Sequence, residues 1–138
     1  LLEKVFVVYK LSGFSRNLRK EVSKNHRYYF YDNGIRNAII GNLNPLEMRD
    51  DTGTLWENYI IMERIKKQEY LQVVANNYFW RTYDQKEIDL IEEREGRLYG
   101  YEIKWKKTKA RPPKDWLATY KNATYEVITR ENYLEFII

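Results

Sequence analysis

Glu87-Ile88-Asp89-Leu90-Ile91-Glu92, then Glu93-Arg94-Glu95-Gly96-Arg97, then Leu98-Tyr99-Gly100-Tyr101-Glu102-Ile103-Lys104-Trp105 is the stretch that decides the fold. Two runs rich in branched and aromatic residues flank a polar, glycine-containing segment, which predicts a β-hairpin. Setting Asp89 opposite Glu102 places Glu87 opposite Lys104 and Ile91 opposite Gly100. One face then carries Glu87, Asp89, Glu102 and Lys104, and the other Ile88, Leu90, Tyr101, Ile103 and Trp105. A slip of one residue would mix the two sets, so the pattern selects this register, with Arg94 to Arg97 as a four-residue loop. In it Asp89 and Glu102 are cross-strand neighbours with Cβ atoms roughly 5 Å apart.

Two carboxylates facing each other repel, so stability alone does not select the pair. A divalent cation turns that repulsion into ligation. Mg²⁺ (or Mn²⁺) takes oxygen ligands, one or two carboxylates with water and substrate phosphate. Lys104, on the same face, is placed to stabilise a phosphate oxyanion or activate an attacking water. The chemistry indicated is metal-assisted hydrolysis of a phosphodiester. The plainer alternative is an edge hairpin whose polar face is solvated and whose Glu87 pairs with Lys104.

Working outward, residues 4–11 and 28–31 read as strands, with Ser12-Gly13 and Asp32-Asn33-Gly34 as breaks. Ser15 to Arg27 reads as a basic loop or short helix, in which His26 is exposed. Ile35 to Ile40 reads as a short helix stopped by Gly41-Asn42. From Thr54 to about Lys67, Leu55, Tyr59, Met62 and Ile65 recur at helical spacing. Thr54-x-x-Glu57 fits a capping box, a structural use for Glu57. Tyr78 to Tyr83 reads as a strand. Pro112-Pro113 opens a helix to about Asn122, Tyr125 to Thr129 reads as a strand, and Tyr133 to Ile138 as a last one.

The chain of 138 residues suits one domain of ordinary size, divided at residue 53 into a small β/α extension (1–53) and a core (54–138). Hydrophobic residues make up 43% and charged residues 32%, enough for a core beneath a charged surface. The absence of cysteine excludes disulfides and thiolate zinc sites. A lone histidine argues against His-rich metal sites and a Ser-His-Asp triad. No apolar run reaches the roughly 20 residues of a membrane helix, which leads to the expectation of a cytoplasmic protein. Residues 1–49 hold nine Lys/Arg against four Asp/Glu, and residues 50–138 fifteen against sixteen. A second basic run, Lys104, Lys106, Lys107, Lys109, Arg111 and Lys114, is a candidate for the phosphate backbone of nucleic acid, with an ordinary solvated loop as the alternative. A hydrophobic first residue other than methionine leads to the expectation of a piece of a longer protein.

The order helix, three-strand meander, helix, strand from residue 54 resembles the PD-(D/E)XK nucleases, the restriction-endonuclease-like α/β fold. The family's metal-binding aspartate falls on Asp89 and its E-x-K on Glu102-Ile103-Lys104, while Ile88 stands where the literal motif has proline. A glutamate on the first helix falls on Glu57. The resemblance implies metal ligation by Asp89, Glu102 and the Ile103 carbonyl, with Glu57 direct or through water, and catalysis with Lys104. Some members carry glutamine four residues before a tyrosine at the position of Tyr120. Here Trp116 stands in that place, which leaves Tyr120 as a packing residue. Tyr29-Phe30-Tyr31-Asp32-Asn33-Gly34, Gly53-Thr54-Leu55-Trp56-Glu57-Asn58-Tyr59 and Tyr125-Glu126-Val127-Ile128-Thr129 further resemble the carboxy-terminal domain of prokaryotic AAA+ type ATPases. That likeness implies an ATPase domain in the same full-length chain. ATP would bind only there, because no G-x-x-x-x-G-K-[ST] occurs here. The expected partner is nucleic acid, DNA first, with no membrane and with room for a homo-oligomer. Two other functions fit the sequence: a non-catalytic nucleic-acid- or protein-binding regulatory domain of the ATPase, and a stand-alone nuclease like the Holliday-junction resolvases.

Overall fold

The computed structural model describes residues 1–17 and 19–138. It is a mixed α/β fold with β1 (Val8–Gly13), β2 (His26–Phe30), α1 (Asn33–Ile40), α2 (Thr52–Tyr70), β3 (Asn76–Arg81), β4 (Glu87–Arg94), β5 (Arg97–Ile103), α3 (Lys114–Thr119), β6 (Ala123–Ile128) and α4 (Tyr133–Ile137). The strands form one six-stranded sheet in the order β2-β1-β3-β4-β5-β6. The β1–β3 and β5–β6 pairs are parallel and the others antiparallel. Residue 18, within the segment read as a loop or short helix, lies outside the described residues.

Both faces of the sheet are covered, and each has its own core. On one, α2 and α4 bring Trp56, Ile60, Ile61, Met62, Ile65 and Phe136 against Leu11, Phe79, Leu90, Tyr101, Ile103 and Ile128. On the other, Trp116 and Tyr120 close over Phe14, Trp80, Ile88, Ile91 and Leu98. Ile88 and Ile91 lie in one core and Leu90 in the other, although strict alternation would separate 88 from 91. A β-bulge explains this. Tyr78 pairs with Ile91 and Trp80 with Ile88, so Asp89 and Leu90 together oppose Phe79. The expected apolar face is therefore corrected at Ile88, which packs beneath α3.

The β4–β5 register is the expected one, with Leu90 opposite Tyr101 and Ile91 opposite Gly100. The turn is shorter than expected. Arg94 still pairs with Arg97, and Glu95 and Gly96, at φ 50° and 72°, form a two-residue turn of the I′ kind that matches strand twist.

Other boundaries shift for local reasons. Residues 2–6 are turns, and β1 runs through Ser12-Gly13 instead of ending there. Gly13 is required by crowding, since a Cβ would stand 2.7 Å from the Val22 carbonyl oxygen. α2 starts at Thr52 behind Asp51 with no side-chain cap, so the capping-box role of Glu57 is overturned. The helix opened by Pro113 stops at Thr119. Tyr133 to Ile137 is helix, not strand, with Phe136 buried against α2 and Tyr101.

Candidate functional site

The site is assembled where α2 crosses β2. Asn58, buried on α2, acts as a surrogate backbone: its Oδ1 accepts the Phe30 N–H at 2.8 Å and its Nδ2 donates to the Phe30 carbonyl at 2.7 Å. That clamp brings Glu57 beside β2, where the Tyr29 hydroxyl donates to Glu57 Oε1 at 2.7 Å. Two residues back on the same strand, Arg27 lies over the Phe79 ring at 4.7 Å. Its Nη2 donates to Glu87 Oε2 at 2.6 Å and its Nη1 to Asp89 Oδ1 at 3.3 Å. Glu57 Oε1 completes the set at 3.6 Å from Nη1. Arg27 thus ties three carboxylates from α2 and β4 into one cluster.

The bulge puts Asp89 at the point where β4 and β5 part. Its Oδ2 accepts the Ile103 N–H at 2.9 Å, taking the place of a ladder carbonyl. On β5, Glu102 Oε1 receives the Lys104 ammonium at 2.6 Å. Glu102 Oε2 is buried with no hydrogen-bond partner among the described residues. Glu87, expected as a partner of Lys104 in the plainer reading, binds Arg27 and Arg81 instead.

Burial raises the Glu102 carboxyl above its ordinary range, and the Asp89 charge adds to this. Burial and Asp89 likewise raise Glu57, outweighing the Tyr29 hydrogen bond and Arg27. Burial pulls the Lys104 ammonium down, but Glu102 and the charges of Asp89 and Glu57 outweigh it, so Lys104 is raised and stays protonated near neutral pH. Glu57, Asp89, Glu102 and Lys104 thus act on one another electrostatically.

For a divalent cation the donor set is hard oxygen, and Glu102 Oε2 has no hydrogen bond among the described residues to compete with ligation. Among the described residues no three His, Cys, Asp or Glu side chains are grouped to hold a metal. A Mg²⁺ site does not need three, because one or two carboxylates with water suffice. Asp89, Glu102 and the Ile103 carbonyl therefore fit such an ion, provided Arg27 yields its hold on Asp89.

Sequence reasoning missed Arg27, Tyr29 and Asn58 as site residues. Arg27 also lines a cavity of about 360 Å³ with Lys24, His26, Tyr28 and Arg81. The excess of basic residues in the first 49 positions was its only trace in the sequence. Lys104, Lys106, Lys107, Lys109, Arg111 and Lys114 are all exposed, from the end of β5 to the first residue of α3, and Lys107 pairs with Glu131 at 2.7 Å. Tyr120 packs beneath α3, and its hydroxyl donates to the buried Glu21 at 2.5 Å. His26 opens β2, exposed, with its Nδ1 3.3 Å from Ser12 Oγ.

The fold and site define a mixed α/β domain with a carboxylate cluster, bridged by an arginine, at the edge of a β-bulge. The chain belongs to the family described as Domain of unknown function (DUF4143), whose model matches residues 52–133, a domain known to sit with AAA-type ATPases. Residues 1–46 match a second model, Domain of unknown function (DUF8612). Curated relatives include uncharacterized protein Rv2008c of Mycobacterium tuberculosis and uncharacterized protein Mb2031c of Mycobacterium bovis. Each is 30% identical over 107 residues, which are 75% of this chain and 23% of the relative. The chain thus spans about a quarter of the length of the curated relatives it matches. No solved structure matches it. No helix among the described residues is long and apolar enough to cross a membrane.

Proposed function

We propose that the chain carries a metal-dependent phosphodiesterase site of the PD-(D/E)XK type, acting on DNA, in the carboxy-terminal part of a cytoplasmic AAA+ ATPase. The observation that carries this reading is the buried, partnerless Glu102 Oε2 beside Asp89 and the Lys104 ammonium. Asp89, Glu102 and the Ile103 carbonyl would hold Mg²⁺ or Mn²⁺, with Glu57 contacting it through water. Bound there, the ion supplies Lewis-acid polarisation of the phosphoryl group and a water of lowered pKa. The chain's own residues do the rest. Lys104, held as a cation, binds a non-bridging phosphate oxygen and stabilises the charge that develops on it. Glu57, its carboxyl raised above the ordinary range by burial and the Asp89 charge, is a better proton acceptor than an ordinary carboxylate. Arg27 leaves Asp89 for the phosphate backbone, and Lys106, Lys109, Arg111 and Lys114 follow that backbone outward. The test is cleavage of single-stranded, duplex and branched DNA with Mg²⁺ or Mn²⁺. Glu102→Gln removes activity and Lys104→Ala slows it. Activity unchanged by Glu102→Gln belongs to something other than this site.

One observation favours a second reading. Arg27 already bridges Glu57, Glu87 and Asp89, as in a domain that kept the fold and serves the ATPase by binding. In that case the wild-type protein binds DNA but cuts none, with or without metal.

A further inference from the structure

A second cavity, of about 330 Å³, is lined by Asn33, Asn37, Leu55, Trp56, Tyr59 and Trp105 among others. That volume is at the small end of pockets for small molecules, which run from roughly 300 to 1,000 Å³. Its walls are aromatic. The Trp56 ring meets Trp105 edge-on at 5.4 Å between centroids and Tyr59 at 6.0 Å. Arg130 stacks over the Trp105 ring at 4.4 Å.

Three buried polar atoms on these lining residues have no partner among the described residues: Trp56 Nε1, Asn33 Oδ1 and Asn37 Oδ1. Trp56 is only 8% exposed. Asn33 Nδ2 donates to the Leu55 carbonyl at 3.0 Å, which fixes its amide and leaves Oδ1 as the free acceptor. Buried polar groups are nearly always paired, so three orphans around one apolar cavity call for a ligand. The complement is a flat ring that stacks on aromatic side chains, accepts from an indole N–H and donates to amide oxygens. A nucleobase with an exocyclic amino group beside a ring nitrogen has that edge.

The position supplies the second half of the argument. Trp56 precedes Glu57 on α2, and Trp105 follows Lys104 after β5. Two walls of the cavity are thus neighbours in sequence of Glu57 and Lys104. We propose that this cavity takes one unstacked nucleobase, next to the phosphodiester presented to Asp89 and Glu102. The placement of the phosphate rests on the phosphodiesterase reading, whereas the capture of the base does not. The substrate class that follows is a single strand or a splayed junction, in which a base is free to leave the stack.

The experiment is fluorescence anisotropy of labelled DNA in EDTA, where nothing is cut. The probes are a short single strand, the same strand made of abasic sites, and the matching duplex. The single strand is expected to bind about tenfold tighter than either of the others, the value of one base on an aromatic platform. Tyr59→Ala, at a position 39% exposed and so tolerant of change, removes that preference and leaves the abasic strand unaffected. Asn37→Ala weakens the single strand in the same sense. Equal affinity for normal and abasic strands, or no effect of Tyr59→Ala, overturns the proposal. Competition by a free nucleoside monophosphate that Tyr59→Ala abolishes supports the base pocket and assigns its occupant to free nucleotide. Failure of the monophosphate to compete assigns it to the strand. The doubly substituted Asp89→Asn, Glu102→Gln protein should still distinguish normal from abasic DNA. A protein that distinguishes them but never cuts refutes the phosphodiesterase reading alone. One that cuts but does not distinguish refutes the base pocket alone.

Discussion

Glu92, a buried residue, and Glu102, half-buried with its Oε2 out of reach of water, are carboxylates of the same hairpin, and their surroundings differ in one decisive respect. Glu92, fully buried, accepts from Arg64 Nε at 2.5 Å, Arg64 Nη2 at 3.0 Å and Gln68 Nε2 at 2.7 Å. Arg94 Nε stands 3.0 Å away as a further ion pair. Arg64 also donates to the Phe136 carbonyl at 2.8 Å, so the network pins α4 to α2 and β4. Glu102 has one lysine on one oxygen and nothing on the other. A buried charge supplied with all its partners is a structural fastener. One left short of a partner costs free energy.

The largest effect should come from breaking the satisfied network. Arg64→Ala takes two hydrogen bonds from the buried Glu92 and leaves it only Gln68 and the Arg94 ion pair, which should lower unfolding free energy by about 3 kcal/mol. Denaturant unfolding measures it, and a loss comparable to that of an exposed salt bridge would erase the contrast. Next is Asp89→Asn. The repulsion seen in the sequence suggested little loss or even a gain, but Asp89 is held by Arg27 and the Ile103 amide. A cost of about 1–3 kcal/mol is therefore expected.

Glu102→Gln should have the opposite sign, a gain in stability near neutral pH. Its sign with pH follows from linkage. Because the folded-state pKa of Glu102 is raised, the native state holds the proton longer than the unfolded chain. Its contribution to stability is full below the ordinary carboxylate pKa and is lost as pH rises through the folded value. The variant should therefore lose less stability than wild type between acidic and neutral pH, as measured by thermal or chemical unfolding across that window. The smallest effect lies at the exposed basic run. Lys106→Ala with Lys109→Ala should weaken DNA binding evenly across sequences. The log-log salt slope should fall by about 0.9 for each duplex phosphate that is no longer neutralised.

The same contrast marks what the sequence could reveal. Asp89, Glu102 and Lys104 were legible because the hairpin's alternation and its glycine turn select one register. The turn was misjudged in length because Glu95 adopts a positive φ that its residue type does not announce. The bulge at Asp89-Leu90 was hidden, since it exists only against the pairing with β3. Arg27 was hidden for the same kind of reason: its three carboxylate partners are 30 to 62 residues away in sequence. Tyr133 to Ile138 has the branched and aromatic content of a strand. Its helical form is set by the packing of Phe136 on Tyr101 and the hydrogen bond from Arg64, both tertiary. Asn58 has no pattern at all to mark it, because its task is to imitate the backbone of a neighbouring strand.

The central claim is that the unsatisfied oxygen of Glu102 belongs to a cation site, with Arg27 as the cation that competes for it through Asp89. Calorimetric titration with Mn²⁺ tests it most directly, on wild type, Arg27→Gln, Lys104→Ala and Glu102→Gln. The account predicts one bound Mn²⁺ in the wild type, tighter binding in Arg27→Gln, retained binding in Lys104→Ala and none in Glu102→Gln. Mn²⁺ bound equally by wild type and Glu102→Gln, or by neither wild type nor Arg27→Gln, would contradict it.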